Sequence, residues 1–486
     1  MLTLGLGQRH SSPANSKTRA GVLAIAALAT VVSTSTARAT PARAASGPRA
    51  DETTLLAGQW LALLGGYTAT PQTPIQHVVI IQKENRSFDE YFGRFPGADG
   101  ATQGTMHDGT IVQLGTTPDP LPNDINHSEA SFRLAYDGGK MDGFDLEKGA
   151  FSSSGQNLAY TQMREEQIPN YWAYARRYAL GDRMFASYKG MSFGNNLFTV
   201  AAQSGQYDDS NGNRYPIAHP QGGGLRTGLT TWGCDDPPTA LVLMRGPDGK
   251  ESRQFPCFSF NGLPNLLDQY GVSWHYYEPV NGPGSHPKHN ALHALNPVFS
   301  NPSLWSRVVP VPQFIQDAQA GSLPAVSWVL GVNDEHTPRT ACAGENETVS
   351  FVNAVMQGPD WPSTVIIMTW DEWGGFYDHV PPPQVDAVSY GFRVPLLVIS
   401  PFTKRGGGSD GGYISHLFYS HESPLKLIET NWNLPNLTPK DAASNDMMDF
   451  FDFGAVSKAP LILQPRACPA LTLAQKTAIA RDPGDY

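Results

Sequence analysis

Four short stretches of the chain are apolar almost without interruption: His77-Val78-Val79-Ile80-Ile81-Gln82, Ala325-Val326-Ser327-Trp328-Val329-Leu330, Thr364-Val365-Ile366-Ile367-Met368-Thr369 and Val394-Pro395-Leu396-Leu397-Val398-Ile399-Ser400. Each has the length of a strand, and β-branched residues recur in them. A strand with one wet face alternates polar and apolar residues. These do not, so both faces must be buried. The intervals between them leave room for crossover helices. This combination predicts an α/β fold with a mainly parallel central sheet covered by helices. Residues 206–262 break the pattern. They are dense in Gly, Pro, Asp and polar residues, and read as a loop-rich insertion beside the sheet.

In an open α/β sheet, ligands bind beyond the carboxyl ends of the strands. Two of these ends carry oxygen-rich side chains. The first run leads into Lys83-Glu84-Asn85-Arg86-Ser87-Phe88-Asp89, and the third into Trp370-Asp371-Glu372-Trp373-Gly374-Gly375-Phe376-Tyr377-Asp378-His379. Glu84, Asp371 and Glu372, if brought together, repel unless a cation compensates. Carboxylate and amide oxygens suit a divalent metal. The plainer alternative is that these residues cap and salt-bridge strand–helix turns. Of the 13 histidines, His336 in "NDEHTP" stands out because it too follows a strand, and His127 lies in "NDINHSEAS". His379, His416 and His421 follow the acidic pair, whereas His275, His286, His289 and His293 carry no positional signal. Gly190-Met191-Ser192-Phe193-Gly194 fits the G-x-S-x-G pattern of a nucleophile elbow, which makes Ser192 a candidate nucleophile.

The N-terminus reads as a targeting segment. Arg9, Lys17 and Arg19 precede an apolar run from Ala20 to Val32, and Ala37-Arg38-Ala39 offers a small-x-small cleavage site. The run is shorter than the roughly 20 residues that span a bilayer. Residues 1–39 are therefore expected to be a signal peptide and 40–74 a flexible mature N-terminus, with secretion or periplasmic export. The leader holds four Lys/Arg and no Asp/Glu, so its removal leaves 30 basic against 44 acidic residues. Such an acidic chain is not expected to bind nucleic acid, and no stable membrane insertion is expected. The four cysteines suit two disulfides in an exported protein, and the preferred pairing is Cys234–Cys257 with Cys342–Cys468.

Taken in order, "HVVIIQKENRSFDEYFGRFPG", "GGKMDGF", "NDEHTP", "MTWDEWGGFYDHVPPP" and "GFRVPLLVISPF" resemble the bacterial phosphoesterase family. That family holds phospholipase C enzymes and acid phosphatases within the alkaline-phosphatase-like superfamily. The resemblance covers roughly residues 75 to 432 and implies a three-layer α/β/α sandwich, with 75–486 as the catalytic domain. It also implies that Glu84, Asn85, Asp371 and Glu372 bind a divalent metal. A segment resembling S-x-x-G-x-[ST]-x-x-N, matched by Ser187, Gly190, Ser192 and Asn195, makes Ser192 both nucleophile and metal ligand. His127 and His336 correspond to the phosphoryl-contacting histidines. The chain departs from the pattern in one respect: the usual Pro is absent and Gly194 stands before Asn195.

Three functions follow as expectations. The first is a metal-dependent phosphoric ester hydrolase, of phospholipase C or acid phosphatase type, acting through a phosphoserine. Its substrate is a phospholipid head group or a soluble phosphomonoester. The second is a carboxylesterase using Ser192, Asp371 and His416 or His421. It lacks an upstream H-G-G-G oxyanion loop and leaves Glu84, Asn85 and Glu372 without a task. The third is a non-catalytic exported binding protein that keeps the fold.

Overall fold

A computed structural model describes residues 68–481 apart from 206, 209–211, 221–231, 280–288, 338 and 408–410. The signal-peptide segment and most of the expected flexible N-terminus lie outside the described residues, as does His286.

Eight strands form the central sheet: β1 (His77–Lys83), β2 (Ala179–Gly181), β3 (Trp274–Glu278), β4 (Val308–Pro310), β5 (Val326–Leu330), β6 (Thr364–Trp370), β7 (Leu396–Ile399) and β8 (Tyr413–Ser415). Their order is β4-β3-β5-β1-β6-β7-β2-β8. All four apolar runs are strands. The three that are wholly buried, β5, β6 and β7, lie at or beside the centre, which is why they lack alternation. β1 pairs in parallel with β5 and β6, and Gln82 lies opposite both Leu330 and Thr369. The residues that follow these three strands therefore emerge together at one end of the sheet. β7 runs antiparallel to both β6 and β2. The residues before it, Phe392 and Arg393, consequently reach that same end.

The helices that matter to the site are α1 (Phe88–Phe92), α2 (Glu129–Tyr136), α3 (Pro169–Arg177), α4 (Ser192–Ala201), α5 (Leu263–Gln269), α6 (Val311–Ala320), α7 (Ala341–Gln357) and α8 (Glu422–Trp432). Helices α3, α6 and α7 pack as one set, and α4, α5 and α8 as another. The strands show why the sets lie on opposite faces. Trp328 of β5 donates its indole N–H to Thr199 O of α4, and it stacks on Tyr276. The next residue of β3, Tyr277, points the other way and meets Phe314 of α6. Helices on both faces of one mainly parallel sheet make the expected α/β/α sandwich.

Outside the sheet, smaller strand pairs build the insertion and a lobe beside the site. Tyr215–Pro216, Val242–Arg245 and Glu251–Gln254 form a small antiparallel sheet within the expected insertion. Residues 103–162 form a lobe that sequence reasoning missed. Gln103–Thr105 pairs with Ile111–Gln113, and Gly115–Thr116 with Thr161–Gln162. A second apolar core, including Phe132, Phe144 and Tyr160, joins the lobe to Trp373, Phe376 and Phe392. Both disulfides form in the preferred pairing, Cys234–Cys257 and Cys342–Cys468. Among the described residues no helix is long and apolar enough to cross a membrane.

Candidate active site

The loops after β1, β5 and β6 converge. Asp371 N donates to Lys83 O at 3.0 Å, continuing the ladder one step beyond the sheet. Asn85 N donates to Asp371 Oδ1 at 2.9 Å, Arg86 N to Glu372 O at 2.9 Å, and Glu84 N to Asp334 O at 2.8 Å. Asn85 takes a left-handed backbone, φ 64°, which turns its side chain back over the sheet end. Gly374 is needed for this: a Cβ there would lie 2.4 Å from Asn85 O, and its own φ is +63°. Glu84, Asn85, Asp371 and Glu372 are all buried. The loops that carry the expected ligands thus meet at one end of the sheet, with these four side chains buried; Glu372 Oε2 also accepts from Gly374 N at 2.9 Å.

Ser192 is the first residue of α4 and is fully buried. Gln82 Nε2 donates to Asn196 Oδ1, which ties the first turn of α4 to the end of β1. The loop before Ser192 is braced by Asn195. Its side chain accepts from Tyr188 N at 2.9 Å and donates to Tyr188 O at 3.2 Å and Gly190 O at 3.0 Å. The glycines of the G-x-S-x-G string have a packing cause. A Cβ on Gly190 would lie 2.3 Å from the Tyr188 ring, and one on Gly194 2.5 Å from it. Tyr188 lies against this turn, and Ser192, already helical, lacks the positive φ of a strained nucleophile elbow. Neighbouring hydroxyls are engaged. Ser187 Oγ donates to Glu422 Oε2 at 2.6 Å, and Thr199 Oγ1 to Asn196 O at 2.7 Å.

His127 and His336 face each other with ring centroids 6.0 Å apart. Each has Nδ1 against a backbone carbonyl, Ile125 O at 2.7 Å and Thr337 O at 2.5 Å. That contact fixes Nδ1 as the donor in each ring. His127 Nε2 lies 3.3 Å from Asn85 Nδ2 and 3.9 Å from Glu372 Oε1. The esterase geometry is absent. His421 has both ring nitrogens on backbone, Ser187 N at 3.3 Å and Trp370 O at 2.9 Å. His416 is exposed and pairs with the buried Asp182 at 2.7 Å.

Sequence reasoning missed several residues here. His289 Nδ1 lies 3.5 Å from both Glu84 Oε1 and Asp334 Oδ2. Asp124, His127 and His336 each bring one potential ligand atom within 4.8 Å of the others. Glu335, also left-handed at φ 81°, is fully buried. It accepts from Tyr91 Oη at 2.5 Å, Tyr171 Oη at 2.5 Å and Trp370 Nε1 at 3.1 Å, with Lys83 Nζ at 3.4 Å. This anchors the loop that carries His336. Glu147 sits buried near His127 and Glu372, and burial holds its carboxyl well above the ordinary range. Asp124, Glu147 and His289 gave no positional signal, because they come from segments remote from the strand ends, whereas Glu335 lies beside His336 in "NDEHTP" and was given no role.

A divalent cation fits this donor set. Asn85 Oδ1, Asp371 Oδ2 and Ser192 Oγ are buried and have no hydrogen-bond partner among the described residues. Leaving such oxygens unsatisfied costs free energy, and the neighbouring carboxylates of Glu84 and Glu372 add negative charge. Oxygen donors of this kind suit a hard cation. A second acidic group, Asp89, Asp378 and His379, resembles a metal site by proximity alone. There the Arg393 guanidinium already supplies the positive charge, with Nε 2.9 Å from Asp378 Oδ1 and Nη2 3.3 Å from Asp89 Oδ1.

Residues 75–435 match the Phosphoesterase family. The chain is 26% identical over 447 residues to phospholipase C A of Mycobacterium tuberculosis, covering 78% of each protein. It is 27% identical over 472 residues to phospholipase C B of the same organism, covering 82% of this chain and 83% of that one. To the non-hemolytic phospholipase C of Pseudomonas aeruginosa it is 23% identical over 449 residues, covering 79% of this chain and 58% of that one.

Proposed function

This chain belongs to the phosphoesterase family and is a hydrolase acting on phosphoester bonds; from that premise we propose that Ser192 is its nucleophile, beside a divalent cation held by Glu84, Asn85, Asp371, Glu372 and Ser192 itself. The observation that carries this reading is the state of one hydroxyl. Ser192 Oγ is buried at a helix start without a hydrogen-bond partner among the described residues, while Ser187 and Thr199 are both engaged.

The cation, when bound, supplies Lewis-acid stabilisation of the serine oxygen and of phosphoryl charge. Ser192 loses its proton to water and attacks phosphorus. The Ser192–phosphorus bond forms as the bond to the leaving oxygen breaks. His336, acting as an imidazolium with its Nδ1–H held by Thr337 O, gives its Nε2 proton to that oxygen, so an alcohol departs and a neutral imidazole remains. Water then attacks phosphorus, His336 takes one of its protons back, and the Ser192 oxygen leaves and regains a proton from solvent. His127 and the first-turn N–H groups of α4 contact the phosphoryl oxygens. The substrate is a phosphoester, either a phospholipid head group, as the relatives' names indicate for those proteins, or a soluble phosphomonoester.

Export to the periplasm or medium belongs to the same reading. It rests on the leader-like residues 1–39 and on the two disulfides, with 75–486 as the catalytic domain. The test is acid quenching during turnover of a phosphorus-labelled ester, followed by peptide mapping. Label on Ser192 supports the reading. Label on Ser187 or Thr199 moves the nucleophile, and no covalent label removes the phosphoserine route.

A further inference from the structure

Resting on that reading, we infer that Arg86 is a positioning residue whose guanidinium clamps the cation-ligand pair and the His336 loop into one register. Arg86 is buried, and its side chain reaches carbonyls from two separate strand-end loops. Nη1 donates to Asn85 O at 2.6 Å and Nη2 to Glu335 O at 2.8 Å. Nε donates to Tyr91 Oη at 3.1 Å, and Tyr91 Oη in turn donates to Glu335 Oε2. The backbone N–H of the same residue donates to Glu372 O at 2.9 Å. A single arginine therefore touches all three loops that build the site.

What it grips matters as much as the number of contacts. Asn85 and Glu335 are non-glycine residues in the left-handed region, φ 64° and 81°. Such residues persist only where their surroundings over-determine them. Asn85 is a proposed cation ligand, and Glu335 directly precedes the proposed leaving-group acid. The planar fork of arginine suits two carbonyls held at a fixed spacing, which a lysine ammonium on a flexible stem cannot reproduce. The guanidinium is also confined between rings, 5.6 Å from the Tyr91 centroid and 5.5 Å from that of Phe376. Glu90 Oε2, 3.7 Å from Arg86 Nε, is its nearest carboxylate, so the head is not diverted into a close bidentate ion pair.

The test uses the full chain with Arg86→Lys, which keeps the charge, and Arg86→Gly assayed with and without added guanidinium. Mn2+ binding to metal-stripped protein is measured by titration calorimetry. Turnover is measured on two phosphomonoesters, one with an alkyl and one with a 4-nitrophenyl leaving group. Arg86→Lys should bind Mn2+ about 10–100-fold more weakly, the scale for losing a group that orients a ligand. It should lose about 100-fold in kcat on the alkyl ester, which needs the acid, and far less on the nitrophenyl ester. Guanidinium should restore part of both losses to Arg86→Gly. If that variant does not fold, Arg86→Lys decides alone.

Wild-type Mn2+ affinity and wild-type leaving-group preference in Arg86→Lys overturn the inference. So does an equal loss on both esters with unchanged Mn2+ affinity, which is the signature of a merely structural arginine. His336→Gln is run alongside. If it shows no leaving-group preference, the acid assignment of His336 fails, and Arg86 is judged on Mn2+ affinity and guanidinium rescue.

Discussion

His293 offers a direct probe of how the site is held. It lies in the short helical turn Ala291–Ala294, next to Asn290 and close to His289. Its Nδ1 is 3.2 Å from Asp235 Oδ1 and its Nε2 is 3.2 Å from Glu278 Oε2. Asn290 Nδ2 donates to the same Glu278 oxygen at 2.9 Å, and Cys234 N donates to His293 O at 2.7 Å. One imidazole thus joins the insertion, the end of β3 and the turn that carries His289. Burial disfavours its charge, but the hydrogen bonds and fields of Asp235 and Glu278 outweigh that and lift its pKa from 6.5 to about 9. At about 1.4 kcal/mol per pKa unit the pair of contacts is worth about 3 kcal/mol. Asp235 and Glu278 retain 35% and 21% of their side-chain exposure, and solvent screening reduces the figure to about 2 kcal/mol. The folded pKa lies above the unfolded one. The contribution is therefore complete below about pH 6.5 and is lost as pH rises through about 9. Scanning calorimetry of the parent and of His293→Gln at pH 6 and pH 10 measures it. The gap in Tm between the two proteins should be a few degrees at pH 6 and close at pH 10. A gap that is the same at both pH values would refute a charged His293.

Asp371→Asn keeps an oxygen to accept from Asn85 N but removes a buried charge, so elemental analysis should find the metal lost while circular dichroism is unchanged; full metal content at the parental rate would show the site to be misassigned. Ser192→Ala should fold, bind metal more weakly and lose several orders of magnitude in kcat, the scale for removing a nucleophile; a fully active variant returns Ser192 to an ordinary turn. Gly194→Ala places a Cβ 2.5 Å from Tyr188 and should cost about 1–3 kcal/mol by overpacking. Tyr188→Leu in the same chain should recover much of that stability in a melting assay, and the packing account fails if the single variant is as stable as the parent. Cys468→Ser opens a link spanning 126 residues and frees the tail whose Arg466 reaches Glu345 at 2.6 Å, so the Tm should fall by an amount worth about 2–5 kcal/mol; an unchanged melt would mean the tail is held without it.

The sequence by itself determined the sheet and one end of it. Continuous apolar runs report burial on both faces, a local property that tertiary packing does not reverse, so β1, β5, β6 and β7 were legible. The acidic ends of β1 and β6 were legible because neighbouring parallel strands deliver their next residues to the same place. Short strands were not: β2 is only Ala179–Gly181, and no periodicity exists in three residues. The antiparallel sense of β7 was equally hidden, because strand direction depends on pairing partners and not on the strand's own pattern. Tertiary structure alone decided the rest. It set Ser192 apart from Ser187 and Thr199 by which hydroxyls find partners. It gave both ring nitrogens of His421 to backbone groups and Nδ1 of His416 to Asp182. It assembled Asp124, His289, Glu335 and Arg86 around the proposed ligands from segments up to about 250 residues apart in the chain. Spacing along a chain records which face of an element is buried. Which loops meet beyond the sheet is fixed by strand order and long-range packing, and no local pattern carries that information.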